Sequence, residues 1–261
     1  MTKLLKQVFS ITNSDNKKHK VIKIAGIKFS IKRKKIHDFS LNSGERQVAT
    51  SIEGIRKDHI YRYEKGIEAI KKHLKIKALQ NGADVFCGNG YGSYLIAKAF
   101  PQVKLLSIDG SKEAIELAKQ FYASENTEFK QQFFPFKLKK NMYNFIFSLE
   151  SIEHIKEDQL FIKTLTSAIK KGGLLILSTP NIEKIDLKIN CNHFHERHYK
   201  TNDIIELLKK YNFELQEIYG QDTYIIDREG HCVDVLNDEE MVLKENFNGQ
   251  FIIYVFEKKG V

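Results

Sequence analysis

The sequence predicts an α/β protein, a mostly parallel sheet covered by helices on both faces. Three observations predict it. Short apolar runs such as "YNFIFSL" (143–149) and "LLILSTP" (174–180) read as buried strands. They alternate with segments whose apolar residues recur at helical spacing. A glycine-rich turn, "CGNGYG" (87–92), leads from the first of these strands into a helix, at the edge where open α/β sheets bind ligands.

The elements follow in order. Residues 21–32, "VIKIAGIKFSIK", alternate apolar and polar on both sides of Ala25-Gly26 and predict a small β-hairpin, followed by a charged linker "KRKK". Ile60, Tyr63, Ile67, Ile70 and Leu74 share one face of a helix over 57–76, with Asn81-Gly82 as its C-terminal punctuation. "ADVFC" (83–87) is the first strand of the sheet, "YGSYLIAKAF" (91–100) a helix stopped by Pro101, and "VKLLSID" (103–109) the second strand. Ser111 is placed to cap a helix over 111–123. "TEFKQQF" (127–133) and 143–149 are the third and fourth strands; a helix then runs to about Lys171, with Gly172-Gly173 before the strand at 174–180. A helix over 201–211 leads to two last strands, 213–220 and 251–259, with no helix between them, which predicts an antiparallel pair at the sheet edge. The stretch 221–250 is long for a hairpin loop, so local structure or a function of its own is expected there. Two domains result, a basic extension over 1–40 and a main domain over 41–261.

The net charge of +9 is uneven: residues 1–80 hold 20 Lys and Arg against 7 Asp and Glu, so the excess belongs to the N-terminal third. A solvated lysine-rich face accounts for it, as does contact with a membrane surface, an acidic glycolipid or nucleic acid. Cys87, Cys191 and Cys232 are far apart and form no C-x-x-C pair, which argues against a disulfide framework or a zinc knuckle. No apolar run is long enough to cross a bilayer and the first ten residues do not read as a secretory signal, so a cytoplasmic location is expected, at the inner face of the membrane if the basic third touches lipid.

The glycine spacing separates two ligand classes. A dinucleotide fingerprint, G-x-G-x-x-G, begun at Gly88 needs its last glycine at position 93, which is Ser93. Here the pattern is G-x-G-x-G, preceded by Asp84, with "SIDGS" after the second strand and "LESIEH" after the fourth. These residues resemble class I S-adenosylmethionine (SAM)-dependent methyltransferases over about residues 40–259. "SGER" (43–46), "HIYRYEKG" (59–66) and "HFHERHYKTNDIIELLKKYNFE" (193–214) are similar to segments of methyltransferases from bacterial capsule and lipooligosaccharide clusters.

The resemblance implies a Rossmann-like, seven-stranded fold with an antiparallel C-terminal edge strand, and SAM as cofactor. It implies a cofactor site of Tyr63, Asp84, Cys87, Gly88, Asn89, Gly90, Asp109, Gly110, Gln132, Phe133 and Leu149, with Asp109 on the ribose. Glu150 would sit near the sulfonium, with the Glu153-His154 pair closing the site. Two departures stand out: Phe86 where the family has a small residue, and Gln131-Gln132-Phe133-Phe134 where it often has an acid beside the adenine.

Methyl transfer needs an aligned acceptor and excluded water, and a base only where the acceptor must lose a proton. His154 is the base candidate, with a helix-capping role as its alternative; Glu150 and His195 complete the catalytic set. The rings of His193, His195 and His198 are not expected to converge from an extended segment, so no metal is assigned. Arg62 and Arg197 are candidates to pair with an anionic acceptor or the cofactor's carboxylate. The expected activity is O-methylation of a sugar, or of a sugar-linked phosphate or phosphoramidate, on a small-molecule or glycan-linked acceptor. Glycan assembly proteins are candidate partners for the basic N-terminus. The alternatives are a nucleic-acid methyltransferase, for which no RNA-binding motif speaks, and a non-catalytic SAM-binding scaffold.

Overall fold

Alternation of side chains explains why one sheet is covered twice. In the computed structural model, Phe145, Phe147, Leu174, Ile176, Ile253 and Val255 enter one apolar cluster. Their neighbours Ile146, Leu175, Leu177, Ile252 and Tyr254 enter another on the opposite face. The structure describes the backbone of residues 9–13, 19–24 and 27–32, and residues 47–190 and 192–260 in full. The chain divides into two compact units, Met1–Ser43 and Gly44–Val261.

In the first unit, β1 (Phe9–Asn13), β2 (His19–Ile24) and β3 (Ile27–Lys32) form an antiparallel meander. Ile24 pairs with Ile27, as the expected hairpin requires, and β1 adds a strand that the sequence reading missed. The turn residues Ala25-Gly26, the linker at 33–35, the "SGER" segment and Cys191 lie outside the described residues.

The second unit is built on an eight-stranded sheet. Its order is β12 (Lys244–Glu245), β9 (Phe213–Gln221), β13 (Phe251–Lys258), β8 (Ile169–Pro180), β7 (Tyr143–Leu149), β4 (Asn81–Val85), β5 (Lys104–Asp109), β6 (Thr127–Gln131). Strands β4 to β8 run parallel, and β13 runs antiparallel between β8 and β9. Seven strands are those expected; the two-residue β12 is the eighth and lies outside β9. The helices are α1 (Lys57–His73), α2 (Tyr91–Ala99), α3 (Lys112–Phe121), α4 (Asp158–Ala168) and α5 (Thr201–Lys209). Ser111 caps α3, its Oγ accepting from Ala114 N at 3.2 Å. Strand order reverses at β4, with β5 on one side and β7 on the other, so a crevice opens at the carboxyl ends of β4 and β7.

Two local expectations are corrected, and a third, local structure within 221–250, is met. Asn81-Gly82 does not end α1; it begins β4, where a Cβ at Gly82 would collide with the Phe145 ring. The helix before β8 stops at Ala168, and Gly172-Gly173 lie inside β8, whose pairing with β7 shifts register near Tyr143. The stretch 221–250 holds a hairpin of its own, β10 (Tyr224–Ile226) and β11 (Cys232–Val235), pinned to the loop after β8 by Asn190, whose side chain bonds Gly230 O and Cys232 N. Among the described residues, no helix is long and apolar enough to cross a membrane.

Candidate active site

The glycine turn is held from below and from the side. Cys87 N donates to Ile108 O at 3.0 Å. The Asp109 carboxylate accepts Gly88 N–H at 3.0 Å and Ser111 N–H at 2.8 Å, joining the ends of β4 and β5. Gly90 has φ +89° and caps the start of α2; a Cβ there would stand 2.7 Å from Ala118 Cβ. A Cβ on Gly92 would fall inside the Tyr63 ring, so this glycine lets α1 and α2 meet. Phe86 takes φ +64°, which a bulky residue rarely adopts, and its ring stands edge-on to Phe161 at 5.6 Å.

The expected cofactor residues divide by position. Asp84 is fully buried behind the turn, accepting from Ser93 Oγ at 2.6 Å and from Tyr63 Oη at 3.2 Å. Burial drives its pKa up to about 7 despite those two donors. Tyr63 lies there too, stacked on Phe147. Cys87 packs with Ile115, Ala118 and Phe129. Asn89 is buried, its Nδ2 donating to Ala49 O at 3.2 Å, while Oδ1 has no partner among the described residues. Gly110 lies under the Phe133 ring, which is 51% exposed. Gln132 N donates to Asp109 O at 2.9 Å, and its side chain is exposed. Leu149 is buried at the end of β7.

Glu150 follows Leu149 at φ +47°, a left-handed turn that lifts it out of the strand. Ser178 Oγ donates to its Oε1 at 2.6 Å, and Arg62 Nη1 stands 3.5 Å from the same oxygen. Burial raises the Glu150 pKa, while Arg62 and Ser178 oppose the shift. Arg62 is itself only 2% exposed, bonded to Gln221 Oε1 at 2.6 Å and Asp58 Oδ2 at 3.2 Å, with the Phe251 ring at 4.2 Å. Burial alone would favour the neutral Asp58 carboxyl; Arg56 and Arg62 hold it well below the usual carboxylate range instead. At the same end of α1, His59 Nδ1 meets Tyr91 Oη at 3.1 Å.

The turn after β7, Ile152–His154, brings in the third group. Glu153 is fully buried, and neither carboxyl oxygen has a hydrogen-bond partner among the described residues. Burial, and then the nearby Glu150 charge, push its pKa well up, so the neutral acid is favoured. His154 Nδ1 stands 3.0 Å from Phe194 O; a carbonyl only accepts, so Nδ1 carries a hydrogen, and in the neutral ring Nε2 holds the lone pair. The same logic orders a chain of rings. His198 Nδ1 donates to Ile185 O at 2.6 Å, His195 Nδ1 donates to His198 Nε2 at 2.7 Å, and Asn192 Nδ2 donates to His195 Nε2 at 3.0 Å.

His195 and His198 meet, which an extended segment would not allow, while His193 stays apart, so the three rings do not all converge, as expected. A turn at His193–Phe194 brings the His195 ring within 4.6 Å of His154, while His193 remains exposed. Among the described residues, Glu153, His154 and His195 bring one ligand atom each within 4.8 Å of one another, close enough to share a cation. Burial, followed by the neighbouring histidines, lowers the His195 pKa to about 3. Arg197 is drawn away to Asp158 at the start of α4, at 2.7 Å. Sequence reading gave no role to Arg56, Asp58, His59, Ser178 and Gln221, although His59 opens the segment 59–66 quoted above. Only the packing of α1 against β8 and β9 brings them together.

Comparison with known proteins matches this arrangement to one family. A family model described as a methyltransferase domain matches residues 77–247. The chain is 28% identical over 202 residues to a ubiquinone biosynthesis O-methyltransferase of Rickettsia typhi, covering 70% of this chain and 78% of that one. It is 27% identical over 201 residues to the protein of the same name from Rickettsia felis, with the same coverage of 70% and 78%. Among solved structures, a SAM-dependent methyltransferase of Methanosarcina mazei superposes with a TM-score of 0.53 at 16% identity, covering 73% of this chain and 97% of that one. With fold, glycine turn and family model in agreement, the chain belongs to the methyltransferase-domain family and is a SAM-dependent methyltransferase.

Proposed function

We propose that this methyltransferase acts on a hydroxyl oxygen of a small-molecule acceptor, with His154 as the base. The carrying observation is the His154 tautomer: Nδ1 is committed to Phe194 O, so Nε2 has the lone pair that a departing hydroxyl proton requires. Bound SAM supplies an electrophilic methyl group on a sulfonium. The donor set fits it. The Asp109 carboxylate stands at the end of β5, suited to ribose hydroxyls, with Phe133 and the exposed Gln132 beside it for the adenine. The turn at Gly88–Gly90 offers backbone and the unpartnered Asn89 Oδ1. Asp84 and Tyr63 act from behind, fixing the turn. Glu150, gripped by Ser178 and Arg62, bounds the crevice beside the base.

The Rickettsia relatives favour an oxygen acceptor of the ubiquinone-biosynthesis type; the surface-glycan acceptor expected from the sequence has no counterpart in them. The net charge favours a separate role for the N-terminal unit, whose residues 1–43 hold 11 Lys and Arg against 2 Asp and Glu. Contact with an anionic surface is the proposal for it.

Calorimetry with SAM on wild type and Asp109→Ala tests the cofactor site, with binding expected in the first and lost in the second. Methyl transfer is then screened on hydroquinones with a free hydroxyl and on nucleotide sugars. Turnover of sugars alone would overturn the acceptor proposed here.

A further inference from the structure

The hydrogen bonds around Tyr91 have a direction. Both carboxylate oxygens of Asp58 grip Arg56, at 2.6 and 2.8 Å, and Arg56 Nη2 stands 3.4 Å from His59 Nε2. A guanidinium only donates, so Nε2 accepts and His59 carries its hydrogen on Nδ1. Asp58 Oδ2 lies 3.8 Å from the same nitrogen, too far to compete as an acceptor. The ring is neutral: burial, with Arg62 and Arg56 nearby, drives its pKa down to about 3. His59 Nδ1–H therefore donates to Tyr91 Oη at 3.1 Å. Because that oxygen already accepts, the hydroxyl hydrogen of Tyr91 must point to another group, and none of the described residues takes it.

Tyr91 is half-buried and opens α2 directly after Gly90. Its ring stands edge-on to Tyr63 at 5.6 Å, which fixes its tilt. The N-terminus of this nine-residue helix and the Arg62 guanidinium favour an anionic oxygen nearby, while burial and the Asp58, Asp84 and Glu150 carboxylates oppose one. We infer that Arg56, His59 and Tyr91 form a directional hydrogen-bond chain that makes the Tyr91 hydroxyl a donor to the carboxylate at the methionine end of bound SAM. The inference rests on the methyltransferase reading and names a residue that the glycine motif does not require. Tyr91 thereby helps distinguish SAM from analogues without the carboxylate.

Calorimetry with SAM and with decarboxylated SAM tests it on wild type, Tyr91→Phe and His59→Gln. Tyr91→Phe keeps the ring and should weaken SAM by about 10- to 100-fold, the worth of a hydrogen bond to a charged group, while leaving decarboxylated SAM unaffected. His59→Gln should retain wild-type affinity, since its amide can accept from Arg56 and donate to Tyr91. Undiminished SAM affinity in Tyr91→Phe, equal losses for both ligands, or a His59→Gln loss as large as that of Tyr91→Phe would each overturn the inference. A wild-type protein that bound neither ligand would instead remove the methyltransferase reading on which it rests.

Discussion

Ser93 and Asp84 are joined by a 2.6 Å hydrogen bond that ties the first turn of α2 to the strand before the glycine turn. At the position where a dinucleotide site has its third glycine, this chain uses a hydroxyl to reach back to a buried carboxyl. The cost is a carboxyl whose pKa is raised to about 7 by burial. A raised acid pKa means that folding favours the protonated form. Its stabilising share is complete below about pH 4 and is lost as pH rises through about 7. Asp84→Asn removes the titration, so its melting temperature should vary less between pH 4 and 8 than that of wild type. The difference has an upper bound on the order of 4 kcal/mol. Parallel pH profiles of the two proteins in thermal denaturation would refute the assignment.

Gly92 makes a sharper case for packing. The Tyr63 ring occupies the space where any side chain at position 92 would begin. Gly92→Ala forces α1 from α2 and strains both, at a cost of roughly 1–3 kcal/mol. It should also loosen the hydrogen bond from Tyr63 to Asp84, and with it the cofactor turn. Denaturant unfolding and SAM calorimetry should register both effects together, and a variant as stable as wild type would show that the two helices have room to spare.

Much of this fold was legible because it depends on short-range signals. Apolar runs marked β7 and β8, Pro101 marked the end of α2, and Ser111 marked the start of α3. Asp109 was singled out because a carboxylate at the end of a second strand can accept from ribose hydroxyls, and it does end β5. Gly82 and Gly172-Gly173 misled because glycine punctuates chains in more than one way; here one makes room for Phe145 and the others sit within β8. Phe86 stood out as a bulky residue where the family has a small one, and its left-handed backbone places the ring against Phe161. Roles for His59 and Ser178 were illegible because their partners, Tyr91 and Glu150, are 32 and 28 positions away in sequence.

The Arg62–Asp58 pair predicts asymmetry between single and double substitutions. Arg62→Met leaves Asp58 buried with one of its cations gone and Gln221 without its donor, and should cost roughly 3–5 kcal/mol. Adding Asp58→Asn removes the stranded charge, so the double variant should recover part of that loss. Urea unfolding of the set decides it, and a double variant less stable than Arg62→Met would mean that Asp58 is held mainly by Arg56.

The His154 and His195 rings lie 4.6 Å apart, yet their hydrogen bonds differ. The His154 lone pair sits on Nε2, the nitrogen remote from the Phe194 carbonyl. On His195 the corresponding lone pair accepts from Asn192, and its other nitrogen is spent on His198. The proposed base is therefore His154, and the His195 ring packs edge-on against it. His154→Gln should lower kcat about 10²- to 10⁴-fold with SAM affinity unchanged. His195→Gln should cost less, because the amide preserves packing and removes no proton acceptor from the reaction. Steady-state kinetics on the first acceptor identified would settle it: a larger loss in His195→Gln than in His154→Gln would exchange their roles.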